Sequence, residues 1–162
     1  MIHDNVSGYS RVLVPIDSAA SAERIVSEAA RVANVAGGTL LLLHVVDERF
    51  FVLPGSYPVA ESVAAALHDD GAQALARASE LARGRGLAFE TRLVESNAEP
   101  VSDVILRHAR EWQADALVMG THGRRGFNRL LLGSDAERVL RAVSVPLMLV
   151  KVGEPDRAAS AK

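Results

Sequence analysis

Glycines, arginines and one serine are concentrated in a single stretch of the chain, residues 119–134, which reads MGTHGRRGFNRLLLGS. Gly120 and Gly123 follow a short apolar run, and Gly133 and Ser134 precede a segment with helical spacing. Glycine permits a positive φ and lets a ligand approach the backbone amides closely. The first turn of a helix adds unpaired N–H groups and the positive end of a dipole. The stretch therefore has the chemistry of a phosphate site, whereas simple turns beside a solvated basic surface are the structural alternative.

Two other candidate segments form the ends of apolar runs, Pro15–Ser18 and His44–Asp47. In an open parallel sheet, ligands bind beyond the carboxyl ends of the strands, at the point where the connectivity reverses. Asp17 and Asp47 would then bring carboxylates to the same edge as the glycine-rich stretch. For Asp17 the alternative is a charge before a helix N-terminus that interacts favourably with the dipole.

Several better-known signatures are absent from the sequence. It has no GxxxxGK[ST] and no GxGxxG after the first apolar run, which argues against P-loop NTPases and dinucleotide enzymes. It also has no HExxH, no cysteine and no GxSxG, so neither a metal site nor Ser-His-Asp hydrolysis is predicted. His44 is expected to be a hydrogen-bonded core histidine, and His122 to orient its loop or contact a phosphate. Asp69 and Asp70 are expected on a solvated helix face, and Trp112 in the core.

Short apolar runs alternate along the chain with longer segments of helical spacing, in the order β-α-β-α-β-α-β-α-β. This order predicts an α/β fold: parallel strands joined by right-handed crossovers, with helices on both faces of one doubly wound, Rossmann-like sheet. Four runs are almost continuously hydrophobic, as in strands covered on both faces, while the third alternates apolar with polar residues, as in an edge strand. The predicted strands are Arg11–Ile16, Thr39–Val46, Leu87–Val94, Ala116–Gly120 and Val145–Val152.

Local signals predict where some of the intervening elements begin and end. A glycine pair directly after Ser21–Ala36 predicts that this helix stops there. The sequence SDAE at residues 134–137 is a capping box, in which Ser134 either caps the last helix or turns its hydroxyl to a phosphate oxygen. The Asp47–Val59 connection is long and unusually apolar. It is interpreted either as a lid over the crevice or as a surface for a partner.

The composition is that of an ordinary globular protein, with 49% hydrophobic and 23% charged residues among 162. The formal net charge of −2 argues against nucleic acid and anionic membranes as partners. No apolar run approaches the roughly 18 residues of a membrane helix, and the first residues carry no secretion signal, so we expect a cytoplasmic protein. We predict one domain over residues 10–152, between an N-terminal segment (1–9) and a flexible tail (153–162).

The spacing Gly120-x2-Gly123-x9-Gly133-Ser134 resembles the nucleotide-binding signature of the universal stress protein family, in its ATP-binding branch. Three further segments resemble that family in matching order: VLVPIDS at the first predicted strand, LLLHVVDE at the second and VPLMLVKV at the last. The resemblance covers about residues 10–152. It implies a five-stranded parallel sheet of order 3-2-1-4-5 and a dimer paired through the last strand.

The resemblance also implies an adenine-nucleotide pocket, for ATP or AMP, with or without Mg²⁺. Pro15 and Val45 would line the adenine, with the backbone of Val45 reading the base. Asp17 would contact either the ribose hydroxyls or the adenine side of the pocket. The ribose and the phosphates would contact the glycine-rich stretch at Met119, Gly120, Gly123, Gly133 and Ser134.

Three functions are compatible with these features. The favoured one is a dimeric sensor or regulator of the stress response that binds an adenine nucleotide. The alternative is a slow ATP hydrolase that uses the same pocket, although the chain offers no P-loop lysine and no carboxylate cluster for efficient turnover. The third is a protein with this fold that binds no nucleotide, which the intact glycine signature argues against. The dimer is expected through Val145–Val152, an apolar strand that would otherwise be an exposed edge.

Overall fold

The computed structural model describes residues 8–33, 37–49, 57–121 and 132–152. Within these ranges, strands and helices alternate in the predicted order. The elements are β1 (Arg11–Pro15), α1 (Ala19–Val32), β2 (Thr39–Val46), α2 (Tyr57–Gly84), β3 (Ala88–Glu95), α3 (Val101–Glu111), β4 (Ala116–Gly120), α4 (Ser134–Ala142) and β5 (Leu147–Val150).

The five strands form one parallel sheet in the order β3-β2-β1-β4-β5. This confirms the doubly wound α/β fold and the strand order that the resemblance implied. The sheet is most extensively paired between β2 and β3, whose ladder runs from Thr39–Ala88 to Val46–Glu95. The carboxyl ends of β2 and β3 therefore finish at the same level, which fixes the positions of the residues that follow them.

Alternate residues of each central strand point into two separate hydrophobic cores. Val12 and Leu42 belong to the core beneath α1 and α2, whereas Leu13 and Leu43 belong to the core beneath α3 and α4. Each of these four side chains is fully buried. Burial of a Val or Leu side chain contributes about 1.5–3 kcal/mol. The two cores therefore hold the strand ends of the sheet in a fixed geometry from both faces.

The edge strand β3 and Trp112 were both correctly predicted. Exposed and half-buried residues alternate along most of β3, as expected for a strand with one open face. Trp112 is 4% exposed, and its Nε1 donates to Glu90 Oε1 at 3.2 Å. The Arg11 guanidinium lies 4.2 Å from the centre of the indole ring. Trp112 is thus a core residue with a satisfied polar edge. Asp69 and Asp70 are exposed on α2, also as predicted.

Helix α1 ends earlier than predicted, at Val32, and the glycine pair does not terminate it. Ala33 is already extended, with φ −68° and ψ 145°. The reason is a tertiary contact, because the amide of Tyr9 donates to the Val32 carbonyl at 2.8 Å. Gly8 makes this approach possible, since a Cβ there would lie 2.7 Å from the Val32 oxygen. The incoming chain therefore occupies the end of the helix.

The Asp47–Val59 connection is also shorter than predicted, because α2 already begins at Tyr57. A proline such as Pro58 is tolerated in the first turn, where its missing N–H has no helical partner to lose. Strand β5 is shorter too, covering Leu147–Val150 instead of Val145–Val152. The predicted limits of β1 and β3 each differ from the observed ones by a single residue.

None of the four described helices has the length and apolar character that a membrane-spanning segment requires.

Candidate functional site

The connectivity of the sheet reverses between β1 and β4, because β1 leads to β2 on one side and β3 leads to β4 on the other. The ladder between β1 and β4 pairs Val12 with Ala116 and Leu13 with Leu117. Both strands continue beyond these pairs, to Pro15 and Gly120. A crevice at such a reversal is the usual ligand position in doubly wound sheets. Gly123 lies outside the described residues. The other predicted site residues all come to this carboxyl edge: Pro15, Asp17, Val45, Met119, Gly120, Gly133 and Ser134.

The backbone leaving β1 is fixed by two contacts from β2. The amide of Ile16 donates to the Leu43 carbonyl at 2.8 Å. The carbonyl of Ile16 lies 2.7 Å from His44 Nδ1, which must carry a proton to donate to it. His44 is 5% exposed, so the prediction of a hydrogen-bonded core histidine is confirmed. This buried histidine sets the position of the residue directly before Asp17.

Asp17 is half-buried between the end of β1 and the start of α1. Its Oδ1 accepts a hydrogen bond from the Ser21 hydroxyl, one turn into the helix. Ser18 is the N-cap of α1, and its hydroxyl accepts from the Ser21 amide at 3.3 Å. Ser21 thus orients the Asp17 carboxylate and Ser18 caps the helix that carries Ser21, and sequence reasoning missed both roles. The spacing Ser18-x2-Ser21 directly after a strand was the available signal, because serine is a favoured N-cap.

The backbone of Val45 faces the side of β2 on which β1 lies. In a parallel ladder, successive residues direct their N–H and C=O groups to alternate neighbours. The Leu43 carbonyl bonds to β1, and the Val46 carbonyl accepts from Ser96 on the β3 side, at 2.9 Å. Val45 has the parity of Leu43, yet it lies beyond Leu43, which forms the last ladder pair with Pro15 and accepts the last bond, from Ile16 just after β1. Its backbone polar groups therefore project past the end of β1.

The two ends of the glycine-rich stretch are joined to each other and to β5. The Thr121 amide donates to the Val150 carbonyl at 2.9 Å, and the Gly133 amide donates to the Thr121 carbonyl at 2.8 Å. Gly133 has φ −61° and ψ 150°, so its backbone does not need the positive φ that sequence reasoning allowed for. His122 and the other residues between these ends lie outside the described part of the chain.

The predicted capping box is wrong by one residue. Gly133 is the N-cap of α4, with no side-chain cap hydrogen bond, and Ser134 is the first helical residue. Glu137 therefore lies one position too far along to close the box, and its carboxylate instead pairs with Arg141 at 2.7 Å. Ser134 is exposed at the start of the helix. Its hydroxyl is thus not used to cap α4.

Charged groups that follow β2 lie close to carboxylates near the starts of α3 and α4. Arg49 makes a two-point contact with Asp47, with Nε–Oδ1 at 2.9 Å and Nη2–Oδ2 at 2.8 Å. This hydrogen-bonded pair raises the pKa of Arg49 above its usual value, against the opposing effect of burial, and Asp135 and Asp103 add to the rise. Asp135 also accepts from the Ser102 amide at 3.3 Å, which links the starts of α3 and α4.

A family model places these features in a known group of proteins. The model of the universal stress protein family matches residues 8–151. The chain belongs to the universal stress protein family. Universal stress protein MJ0531 of Methanocaldococcus jannaschii is 30% identical to it over 154 residues, which cover 93% of this chain and 87% of that protein. The predicted family is therefore confirmed.

Solved structures of universal stress proteins share the fold. A universal stress family protein from Burkholderia pseudomallei is 33% identical, with a TM-score of 0.70 over 89% of this chain and 97% of that one. The universal stress protein of Archaeoglobus fulgidus in complex with dAMP is 26% identical, with a TM-score of 0.62 over 88% of this chain and 98% of that one. A structural neighbour in the same family thus binds an adenine nucleotide.

Proposed function

We propose that this universal stress protein binds an adenine nucleotide, ATP or AMP, in the crevice between β1 and β4. The observation that carries the proposal is the convergence of seven predicted site residues at the reversal point of the sheet. The dAMP complex of the Archaeoglobus fulgidus relative supports the same ligand class. The nucleotide state would then regulate how a dimer of this protein engages its partners in the cytoplasm.

Each part of the nucleotide has a chemically suitable neighbour. The projecting backbone groups of Val45 suit the hydrogen-bonding edge of adenine, and Pro15 offers it an apolar wall. The Asp17 carboxylate, oriented by Ser21, is an acceptor for ribose hydroxyls. Met119 would pack beside the ribose.

The phosphates would lie on the glycine-rich stretch. Gly120, Gly123 and Gly133 allow close approach of the backbone, and Ser134 offers a hydroxyl that does not cap α4. The start of α4 adds the positive end of its dipole. If Mg²⁺ accompanies ATP, Asp17 is the described carboxylate at the end of β1 that suits it, because hard cations prefer oxygen ligands.

Slow ATP hydrolysis in the same pocket remains the alternative. Both oxygens of Asp47 contact Arg49, which makes Asp47 a poor candidate for a base. Of the two strand-end carboxylates in the sequence, Asp17 is therefore the one that remains a candidate base. Rapid release of phosphate from ATP by the purified chain, abolished by Asp17→Ala, would favour the enzyme over the sensor.

Titration calorimetry with ATP and with AMP tests the proposal, together with mass analysis of nucleotide that co-purifies. Asp17→Asn keeps the acceptor for Ser21 but removes the charge, and it should weaken binding about 10- to 100-fold, the value of a charged hydrogen bond. Asp69→Asn is the matched control, because Asp69 is exposed on α2. Equal affinities of Asp17→Asn and the unmodified chain would contradict the assigned role of Asp17, and no binding of either nucleotide would contradict the proposed function.

A further inference from the structure

We propose a second site, for a divalent transition-metal ion of the Zn²⁺ type, formed by Glu48, His68 and Glu95. It lies at the carboxyl edge of the sheet beside β3, and it shares no residue with the proposed nucleotide pocket. Neither the sequence motifs nor the family resemblance indicates it, because its three residues are far apart in the chain: Glu48 follows β2, His68 is on α2 and Glu95 ends β3.

The geometry of the three side chains is close to that of a metal site. One possible ligand atom from each residue lies within 4.8 Å of the other two. His68 Nε2 and Glu95 Oε1 are 3.0 Å apart. Ligand atoms bound to one tetrahedral Zn²⁺ at about 2.0–2.2 Å are separated by roughly 3–4 Å. The carboxylate of Glu48 therefore needs only a change of side-chain torsion to complete the set.

The backbone beneath the site is held by the sheet. Glu95 pairs with Val46 as the last step of the β2–β3 ladder. Ser96, the next residue, is fully buried, and its amide donates to the Val46 carbonyl at 2.9 Å. Its hydroxyl oxygen accepts a hydrogen bond from the Glu48 amide at 3.2 Å. The backbone of two of the three ligand residues is thus held before an ion arrives, so binding would order their side chains and little else.

The donor set favours a transition metal over Mg²⁺. An imidazole nitrogen suits Zn²⁺ and its neighbours, whereas Mg²⁺ prefers six oxygen ligands in an octahedron. The two carboxylates balance the charge of a divalent ion. Three protein ligands leave the fourth position to water, and the Glu95 side chain is 48% exposed, so solvent has access.

Binding would join α2 to the ends of β2 and β3. The helix contributes His68, whose Nε2 is hydrogen-bonded to Glu95 Oε1 at the edge of the sheet. A bound ion would replace that bond by coordination to both strands. We therefore expect the ion to raise the thermal stability of the chain whether or not a nucleotide is present.

The experiment is titration calorimetry of the full, untagged chain with Zn²⁺ and separately with Mg²⁺, followed by Co²⁺ as a spectroscopic probe. The unmodified chain should bind one Zn²⁺ at this site, and Co²⁺ should give the visible absorption of a four- or five-coordinate ion with a nitrogen ligand. His68→Ala and Glu95→Gln should each weaken Zn²⁺ binding at least about tenfold, because replacing even a residue that only hydrogen-bonds to a metal ligand lowers metal affinity by that much. Asp69→Asn, next to His68 on α2, is the matched control and should bind as the unmodified chain does.

Two results would overturn the proposal. One is Zn²⁺ affinity and Co²⁺ absorption that are the same in His68→Ala as in the unmodified chain, since other groups would then hold the ion. The other is binding of Mg²⁺ as tight as that of Zn²⁺, since the imidazole would then play no part. Circular dichroism of each variant separates loss of the site from loss of the fold, because alanine and glutamine suit their helix and exposed strand end. The nucleotide titrations are independent of both results.

Discussion

Gly133 can be replaced without straining the backbone, which makes it a direct probe of ligand approach. Its φ of −61° and ψ of 150° are accessible to any residue. Serine is as good an N-cap as glycine or better, so Gly133→Ser should leave the free energy of unfolding unchanged or slightly higher. The added side chain would stand between the backbone and the phosphates. We expect ATP affinity to fall about 10- to 100-fold, as measured by calorimetry.

Gly37→Ser is the control for Gly133→Ser. Gly37 is exposed before β2, at the opposite edge of the sheet, and a Cβ there meets no atom within 4 Å. This variant should bind ATP as the unmodified chain does. If Gly133→Ser also bound ATP normally, the phosphates would not lie against residue 133.

His108 makes the stability of the fold depend on pH. Burial lowers its pKa, and Arg92 and Arg107 lower it further, against an opposing effect of Glu111. The neutral ring accepts a hydrogen bond at Nδ1 from Arg92 Nη1, at 3.4 Å. The folded state therefore binds the proton less readily than the unfolded state, and stability is lost as the pH falls from about 6.5 through the folded pKa.

Urea unfolding of the chain and of His108→Gln at about pH 7.5 and about pH 5.5 checks this prediction. The unmodified chain should lose more stability on acidification than the variant, which has no titrating group at this position. Equal losses in the two proteins would show that the depressed pKa of His108 does not contribute.

At the scale of elements, α2 packs closely over β2 because residue 71 has no side chain. A Cβ at Gly71 would lie 2.5 Å from His44 Cδ2 and 2.8 Å from Leu93 Cδ1. The His44 ring cannot move freely, since it is bonded to the Ile16 carbonyl. A glycine inside a helix costs about 1 kcal/mol relative to alanine. Here the absence of a Cβ at residue 71 leaves room for the His44 ring, which supports the end of β1.

Gly71→Ala should therefore destabilise the fold although alanine is the better helix former. Overpacking costs about 1–3 kcal/mol, which exceeds or cancels the gain of about 1 kcal/mol in helix propensity. Gly84→Ala in the same helix is the matched control, since a Cβ there meets nothing within 4 Å, and it should be neutral or stabilising. Chemical denaturation of both variants measures the difference. If Gly71→Ala were more stable than the unmodified chain, the His44 and Leu93 side chains would be able to move away from the added methyl group at little cost.

At the scale of the whole molecule, the two edge strands of the sheet, β3 and β5, differ in character. The β3 edge is interrupted by charged residues, whereas β5 is the short apolar sequence LMLV. Met148 on β5 is 37% exposed, and Leu140 on the adjacent α4 is 51% exposed. An apolar open edge is a template for pairing with a second chain. We therefore expect the dimer to form through β5.

Sedimentation at micromolar concentration should show a particle of twice the 17.3 kDa chain mass. Met148→Lys should shift it to the monomer, because the two introduced charges would meet at the interface. Thr91→Lys is the control, since Thr91 is exposed on the opposite edge strand, β3. A 17.3 kDa species in the unmodified chain would contradict the dimer.

Hydrophobic patterning alone indicated the types and order of the nine elements in the described residues, because continuous apolar runs and 3.6-residue spacing depend only on which faces are buried. The alternation in β3 even identified an edge strand. The strand order came instead from resemblance to a family, since periodicity does not say which strands are neighbours. Of the proposed site, the sequence indicated Asp17 and the glycines as candidates, but not Ser21, which orients Asp17.

The remaining features were decided by contacts between residues distant in the chain. Helix α1 stops at Val32 because Tyr9 bonds to its last carbonyl. Glycine and serine both suit an N-cap, and Gly133 takes that position while its amide bonds to Thr121. The cluster of Glu48, His68 and Glu95 exists only because the β2–β3 register and the packing of α2 bring three elements together. Hydrophobic patterning in the sequence determined which elements form, because it fixes which faces are buried. Tertiary hydrogen bonds determined where some of them end, and strand register and helix packing determined which side chains meet.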